Sequence, residues 1–453
     1  MSSLSIGYLS PDVGRARREW EEADPRIRRP ADAVAGGEWI PPIESGLEIP
    51  NILGNGALMK FTHDGGDVDK VLQWCCEQAR RFPKDPSYLL DFAFLQMIMQ
   101  RTDEAYRVQA RALELSHLFR VVGARGEEAA TRRRVLALVA PGDFMNNAQL
   151  ELILDGSDIG LDVLYIIPGK PLPPALPEHD VAFCAVNESD ENMPVLERLS
   201  RLLPAWPRPV LNLPDTIAYL SRDGIASLFE GDPDICVPRV RRVARSDLRR
   251  LAVGNVHLDD LLPGAAFPVL ARPVGTHGGK SLEKIDGPDA LTNYLADLPI
   301  DKDEFFLSSF VDYRSPDGLF RKYRIALIDG VAFLCHMALS EEWKIHYVNA
   351  GMAESAAKRA DEARAMATFD QDFARRHGAA FAKLNERLRL DFLTIDCGES
   401  PDGRLVLFEA ETAMLVHNLD SPTVYPYKQT QMAKVFTAFR AMIDKAAVRQ
   451  PQQ

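Results

Sequence analysis

The chain of 453 residues is short of several things that would narrow its function at once. Cysteine is sparse and scattered: Cys75, Cys76, Cys184, Cys236, Cys335 and Cys397 show no CxxC or zinc-ligand spacing, and Cys75-Cys76 are too close for an ordinary bridge. That excludes a disulfide scaffold and a zinc ribbon, and predicts free thiols in a reducing cytoplasm. No apolar run approaches the ~20 residues of a membrane helix. The opening MSSLSIGYLSPDVGRARREW lacks the apolar core of a signal peptide. A cytoplasmic protein without a membrane partner is expected. No dense Lys/Arg stripe occurs, and with a net charge of −12 and a pI of 5.4 nucleic acid is not an expected partner. The most basic stretch, Arg239 to Arg250, also holds Asp247 and is expected on a solvated face. No Ser or Cys stands out as a nucleophilic centre.

What is present is ordinary globular composition, 46% hydrophobic and 26% charged, with room for two to four domains. Residues 1–60 are rich in Pro, Gly and Arg and read as an irregular arm, disordered or packed on later domains. Residues 61–130 hold VDKVLQWCCEQARRF, PKDPSYLLDFAFLQMIMQ and TDEAYRVQARALELS, whose spacing predicts three helices with short polar breaks. They resemble a tetratricopeptide-type helical hairpin over little more than one repeat, which implies a docking role for a protein partner. A plain helical bundle fits equally.

From residue 131 the texture turns α/β. VLALVA, DVLYIIP, VAFCAV and PVLNL are β-rich runs separated by helical patterns, which predicts a parallel sheet with crossover helices through residue 235. PGDFMNN, after the first run, is a loop at a strand's carboxyl end, where ligands of open α/β sheets tend to bind. ICVPRVRRV, at 235–243, reads as one further strand, and from about Phe267 the chain reads as antiparallel-rich α+β, with one long helical segment over 355–390 and a tight turn at Asp329-Gly330.

The densest signal is LDFLTIDCGESPDGRLVLFEAETAMLVH, residues 390–417. Alternation puts Phe392, Thr394 and Asp396 on one strand face, and Leu405, Leu407, Glu409 and Glu411 on one face of the next. A two-residue Asp402-Gly403 turn places Asp396 opposite Glu409. Carboxylates so close repel, and a divalent cation removes the objection because hard cations take carboxylate oxygens. The alternative is an edge hairpin with solvated acids. RPVGTHGGKS, at 272–281, is a strand followed by a glycine loop whose amides suit a phosphate, though it is no Walker A loop. FRKYRIALIDG puts Lys322 and Arg324 on one face, aimed at phosphate oxygens or at solvent on an edge strand. In FFLSSFVDYRSPDG, Asp312 is a candidate for ribose hydroxyls, and HMALSEEWKIHYVNAGM carries His336, Ser340, Trp343, His346 and Asn349 as substrate-loop residues.

In this order the pieces resemble the ATP-grasp superfamily, in its glutathione-synthetase and ribosomal-protein glutamate-ligase branch, over residues 131–440. The resemblance implies a pre-ATP-grasp α/β domain at 131–235, a bilobal ATP-grasp domain at 236–445, and ATP with Mg²⁺ as cofactors. It implies that Asp396, Glu409 and Glu411 hold the metal, that Arg272 and Lys322 contact phosphates, and that Gly275, Gly278 and Gly279 form a lid. It further implies that Ser309, Phe310 and Val311 read adenine, that Asp312 lies near the ribose, and that Arg324 faces the γ-phosphate or the acyl-phosphate. Two positions depart from the family pattern: Arg272 stands in place of Lys, and Glu411 in place of Asn. The implied activity joins an amino-acid or peptide carboxylate to an amine through an acyl-phosphate. A kinase or a non-catalytic nucleotide-binding scaffold on the same frame are the rivals.

Overall fold

A computed structural model describes residues 38–122, 131–276 and 278–448; residues 1–37 of the expected arm lie outside the described residues. The fold is mixed α/β. The chain forms two compact units, one of Ser221–Val311 and the other of Glu38–Leu220 with the residues from Asp312 onward.

The larger unit opens with strands β1 (Ile43–Glu44) and β2 (Asn51–Ile52) and helix α1 (Asn55–His63), within a stretch whose weak periodicity reads as irregular. The three expected helices follow as α2 (Val68–Arg81), α3 (Ser87–Ile98) and α4 (Thr102–Leu115). Asp67 caps α2 by accepting the Lys70 N–H. Strands β3 (Leu118–Val121), β4 (Arg133–Val139), β5 (Ile159–Tyr165), β6 (Leu176–Pro177), β7 (Val181–Cys184) and β8 (Val210–Leu211) come next. Helices α5 (Leu150–Ile153), α6 (Met193–Leu202) and α7 (Pro214–Ile217) are interspersed. The sheet order is β2-β3-β5-β4-β7-β8, and β5, β4, β7 and β8 are parallel as the alternation predicts. β3 runs antiparallel to β5 and extends the sheet beyond that expectation.

The smaller unit carries α8 (Arg222–Leu228), β9 (Ile235–Cys236), β10 (Val240–Ala244), α9 (Arg245–Ala252), α10 (Leu258–Leu261), β11 (Val269–Pro273), β12 (Glu283–Ile285), α11 (Pro288–Asp297) and β13 (Glu304–Ser309). The single strand expected over 235–243 is broken near Pro238, which has no N–H to give a ladder. Strands β10-β13-β11-β12 form an antiparallel sheet over a core of Leu248, Leu251, Val269, Leu291, Phe305 and Leu307. The basic stretch is not wholly solvated, because Arg245 is buried. Its guanidinium donates to the carbonyls of Leu295, Leu298, Pro299 and Lys302, at and just beyond the end of α11. Orphan helix carbonyls recruit a cation in this way.

The larger unit then resumes with β14 (Phe320–Ile328), β15 (Val331–Ser340), α12 (Ala356–Thr368), α13 (Phe373–Arg376), α14 (Gly378–Leu388), β16 (Phe392–Glu399), β17 (Leu405–Glu411) and α15 (Lys428–Ala447). The long helical segment is therefore three helices. Asp329 and Gly330 both take positive φ, 49° and 80°, as a two-residue hairpin turn requires. Strands β15, β14, β16 and β17 lie side by side in that order, all antiparallel. One core joins this sheet to the parallel one. Phe439 of α15, fully buried, meets Phe183 of β7 at 5.8 Å and Phe392 of β16 at 5.2 Å. Burial of such a ring stabilises by roughly 3 kcal/mol.

Candidate functional site

The site is built on β14, which lies between β15 and β16. Side chains alternate, so Lys322 and Arg324 share one face while Arg321, Tyr323 and Ile325 share the other. On that second face Arg321 pairs with Asp317 and Asp361, and the Tyr323 ring packs tilted against Phe373 at 4.3 Å. On the first face the register makes a polar row across four strands. His336 lies opposite Arg324, Arg324 opposite Asp396, and Asp396 opposite Glu409. One step along, Thr394 faces Glu411.

Asp396 does face Glu409 as the sequence predicts, but by another route. The tip spans five residues, 400–404, not two. Between Asp396 and Cys397 the register shifts, leaving Phe408 as the extra residue of a β-bulge. The bulge corrects one expectation. Leu405 and Leu407 pair with Glu399 and Cys397, so they lie on the face away from Glu409 and Glu411. Phe408 packs on Tyr313 at 4.7 Å. A Cβ at Gly398 would stand 2.9 Å from Tyr313 and 3.2 Å from Phe408, so the bulge needs glycine opposite it.

Asp396 is 1% exposed. Its carboxylate is 2.6 Å from Lys322 Nζ and accepts from Arg324 Nε at 2.8 Å and Nη2 at 3.0 Å. Burial by itself would raise this carboxyl, but Arg324 and Lys322 outweigh it and hold it far below the usual carboxylate range. Lys322 and Arg324 thus lie on the expected face and are engaged by Asp396. Glu411 is held by backbone contacts, since its carbonyl accepts the Thr394 hydroxyl at 2.6 Å. The next residue, Thr412, gives its N–H to Asn187 Oδ1 and its hydroxyl to Val186 O and Asn187 Oδ1. The parallel sheet therefore fixes the end of β17.

Among the described residues, no three Asp, Glu, His or Cys side chains are gathered as metal ligands. The donor chemistry of Asp396, Glu409 and Glu411 suits a hard cation, and adjacent register positions put all three on one face.

His336 rests against Tyr347 at 4.5 Å, and its buried Nδ1 has no hydrogen-bond partner among the described residues. Burial, then the charges of Arg324 and Lys428, hold its imidazole well below the ordinary value. His336 is therefore neutral near pH 7. Beyond it lies a cluster that no sequence motif marks. Lys428, 1% exposed, donates to Tyr347 Oη, pairs with Asp420 at 2.8 Å and lies 3.5 Å from Glu362. Glu362 accepts from the hydroxyls of Tyr427 and Tyr347 and from the Met337 N–H. A lysine at the first position of a C-terminal helix reads as a surface residue, so only the tertiary fold reveals it.

Of the other substrate-loop residues, His346 lies within reach of the row's charges. His346 is held below its ordinary value by desolvation and then by Lys322 and Arg324. Ser340 accepts the Glu342 N–H, Asn349 donates its N–H to His346 O, and the Trp343 carbonyl accepts the Tyr313 hydroxyl. Asp312 accepts the Arg314 N–H in a local turn.

The smaller unit holds its own group. Gly275, Gly278 and Gly279 all take positive φ, 74°, 61° and 73°, in the loop after β11. Among the described residues a Cβ at Gly275 would meet nothing within 4 Å, and its φ of 74° is the conformation glycine favours. Arg272 is 4% exposed and folds onto that loop, donating to the carbonyl and hydroxyl of Thr276. Ser309 spends its N–H and its hydroxyl on Arg239. Phe310 and Val311 follow the end of the strand, and Lys284 of β12, which no motif marks, stands 4.8 Å over the Phe310 ring. All six cysteines are free, and burial pushes the thiols of Cys75, Cys184 and Cys335 up to about 12.

No family model and no curated relative matches the chain. Solved structures similar to it include a RimK domain protein ATP-grasp from Sphaerobacter thermophilus, at 14% identity and a TM-score of 0.38, covering 70% of this chain and 100% of that one. The D-alanine-D-alanine ligase from Coxiella burnetii is similar at 10% identity and 0.44, covering 70% and 96%. The D-alanine–D-alanine ligase from Bacillus anthracis complexed with ATP is similar at 12% and 0.41, covering 70% and 98%. At these values the functional reading rests on this chain's own side chains.

Proposed function

We propose that the chain is an ATP-dependent, ADP-forming ligase that joins a carboxylate to an amine. The observation that carries the reading is the polar row: two cations, Lys322 and Arg324, and three carboxylates, Asp396, Glu409 and Glu411, on one face of a rigid sheet. Such a row suits a polyphosphate with its metal, because phosphoryl transfer depends on positioning and charge neutralisation. The glycine loop and Arg272 of the smaller unit are a second phosphate-binding device of the same chemical type.

In this reading Asp396, Glu409 and Glu411 would hold Mg²⁺, which when bound neutralises phosphate charge. Lys322 and Arg324 exchange Asp396 for phosphate oxygens, and Arg324's fork suits two of them. The γ-phosphoryl group moves to an oxygen of the substrate carboxylate and ADP leaves. The amine nitrogen then attacks the acyl carbon, phosphate leaves with the C–O bonding pair, and the nitrogen loses a proton. No protein nucleophile is required, which agrees with the high thiol values. His336, held neutral, would orient substrate through hydrogen bonds and carry no charge.

A second reading has one observation in its favour. Both oxygens of Asp396 are engaged by Lys322 and Arg324, as in a purely structural ion-pair cluster of a scaffold. Calorimetric titration of ATP, with and without MgCl₂, on wild type and Glu409→Ala separates the two. Binding that needs Mg²⁺ and weakens at least tenfold in the variant is expected, followed by ADP release with amino-acid mixtures. No ATP binding by folded protein would sink the ligase reading and leave the scaffold.

A further inference from the structure

A second polar cluster lies far along the chain from the row, where the helical segment meets the parallel sheet. A cavity of ≈ 60 Å³ is bounded by β4, β5, α3, α5 and the loop after β4. Its apolar wall includes Phe94, Met97, Val139 and Val163, and its polar end includes Asn55 and Glu151. Among the described residues, neither Lys nor Arg lines it.

The polar end has acceptors in excess. Asn55, 5% exposed, donates through Nδ2 to Gln149, and its Oδ1 has no hydrogen-bond partner among the described residues. Glu151 accepts the Gly56 N–H at 2.5 Å. Behind it Asp91, 3% exposed, accepts the N–H groups of Leu53 and Gly54 at 2.9 and 3.1 Å. The start of α1 thus engages two carboxylates at once, and among the described residues neither has an ion-pair partner. The neighbouring amides are spent. Asn147 exchanges both its hydrogen bonds with Ala140, and Gln149 donates to Phe144 O and Asn147 O. What the cavity lacks is a small, positively charged donor. Above pH 7 both carboxyls ionise, and backbone dipoles alone then compensate a buried carboxylate only in part, which leaves room for a cation.

We infer that this cavity binds a small primary alkylammonium ion, its nitrogen on Glu151 and Asn55 Oδ1 and its alkyl group against Phe94, Met97, Val139 and Val163. At ~10–15 Å³ per water-sized group the space takes about four to six heavy atoms. An amino acid is the wrong ligand, because its carboxylate would meet acids and no cation. The inference does not rest on the ligase reading, since none of these residues belongs to the row.

The test is calorimetric titration of n-propylammonium chloride into the full chain at pH 8, against sodium chloride at equal ionic strength. Saturable binding is expected, lost at least tenfold in Glu151→Gln, which keeps an acceptor for Gly56, and in Met97→Trp, which fills the apolar wall. Circular dichroism melts verify folding of each variant, and the two substitutions act at opposite ends of the cavity, so one folded variant suffices. Propanol, of the same shape without the charge, should not compete. Absence of saturable binding by wild type, or binding unchanged in a folded variant, would overturn the assignment. Equal affinity for ammonium chloride would overturn its alkyl part.

Discussion

Two groups of buried acids in the larger unit meet opposite electrostatic fates. Asp396 is 1% exposed and Asp91 is 3% exposed, so burial pushes both carboxyls upward. At Asp396 two cations reverse that push and hold the group ionised. At Asp91 and Glu151 burial prevails, partly opposed by backbone N–H groups, and both are raised to about 7. Full cations within hydrogen-bond reach override desolvation, whereas two or three peptide dipoles only soften it. The first group is therefore a fixed charge and the second a titrating one. Both Asp91 and Glu151 titrate higher folded than unfolded, from ordinary values of 3.8 and 4.5. Their contribution to stability is complete below those ordinary values and is lost as pH rises through about 7. Asp396, lowered in the folded state, contributes above its ordinary value of 3.8 and loses that contribution only in strong acid.

The largest expected effect breaks the comparison at Asp396. Asp396→Asn strands Lys322 and Arg324 without their counter-charge and should cost about 3–5 kcal/mol in urea melts. Adding Lys322→Met should restore part of that loss; a double variant no more stable than the single would show that Lys322 is not compensated by Asp396. Next in size, Glu151→Gln should sharpen the contrast by stabilising the fold about 1–2 kcal/mol at pH 8.5, below the full shift at ~1.4 kcal/mol per unit. At pH 5.5 wild-type Glu151 is already protonated, so the same substitution should leave the melting temperature nearly unchanged. A gain equal at both values would mean that charge is not the cause. The smallest effect is expected at Gly275→Ala, about 1 kcal/mol, because φ of 74° strains an alanine although nothing crowds its Cβ. A loss of several kcal/mol would mean that the loop packs more tightly than this.

Much of this arrangement was legible in the chain. The strands around Asp396, the Asp396–Glu409 pairing and the shared face of Lys322 and Arg324 all follow from period-two alternation. The pairing was reached through compensating errors, since the longer tip shifts the register one way and the bulge at Phe408 shifts it back. Strict alternation therefore puts Leu405 and Leu407 on the face of Glu409, whereas the bulge turns them to the other. Alternation has no means of announcing an inserted residue. Nor could it reveal that β14 lies beside β16, which joins Arg324 to an acid 72 positions away. Lys428 and Glu362 stayed hidden for a related reason: both sit on helices, where a charge usually means solvent. Asp91 and Glu151 failed to stand out because a carboxylate that meets a helix amino end from another element has no fixed sequence spacing.

The bulge at Phe408 has a counterpart. On the other side of the same row, the β14–β15 register shifts between Arg324 and Ile325, leaving Cys335 as the extra residue. The two faults act like a pair of dislocations in a crystal, bracketing the plane where the polar side chains lie. A lattice with such faults absorbs a local change in spacing without transmitting it. The exposed tip at Asp402-Gly403, beyond one of these faults, is accordingly a site where a fluorophore or a short tag can be grafted while the row keeps its alignment.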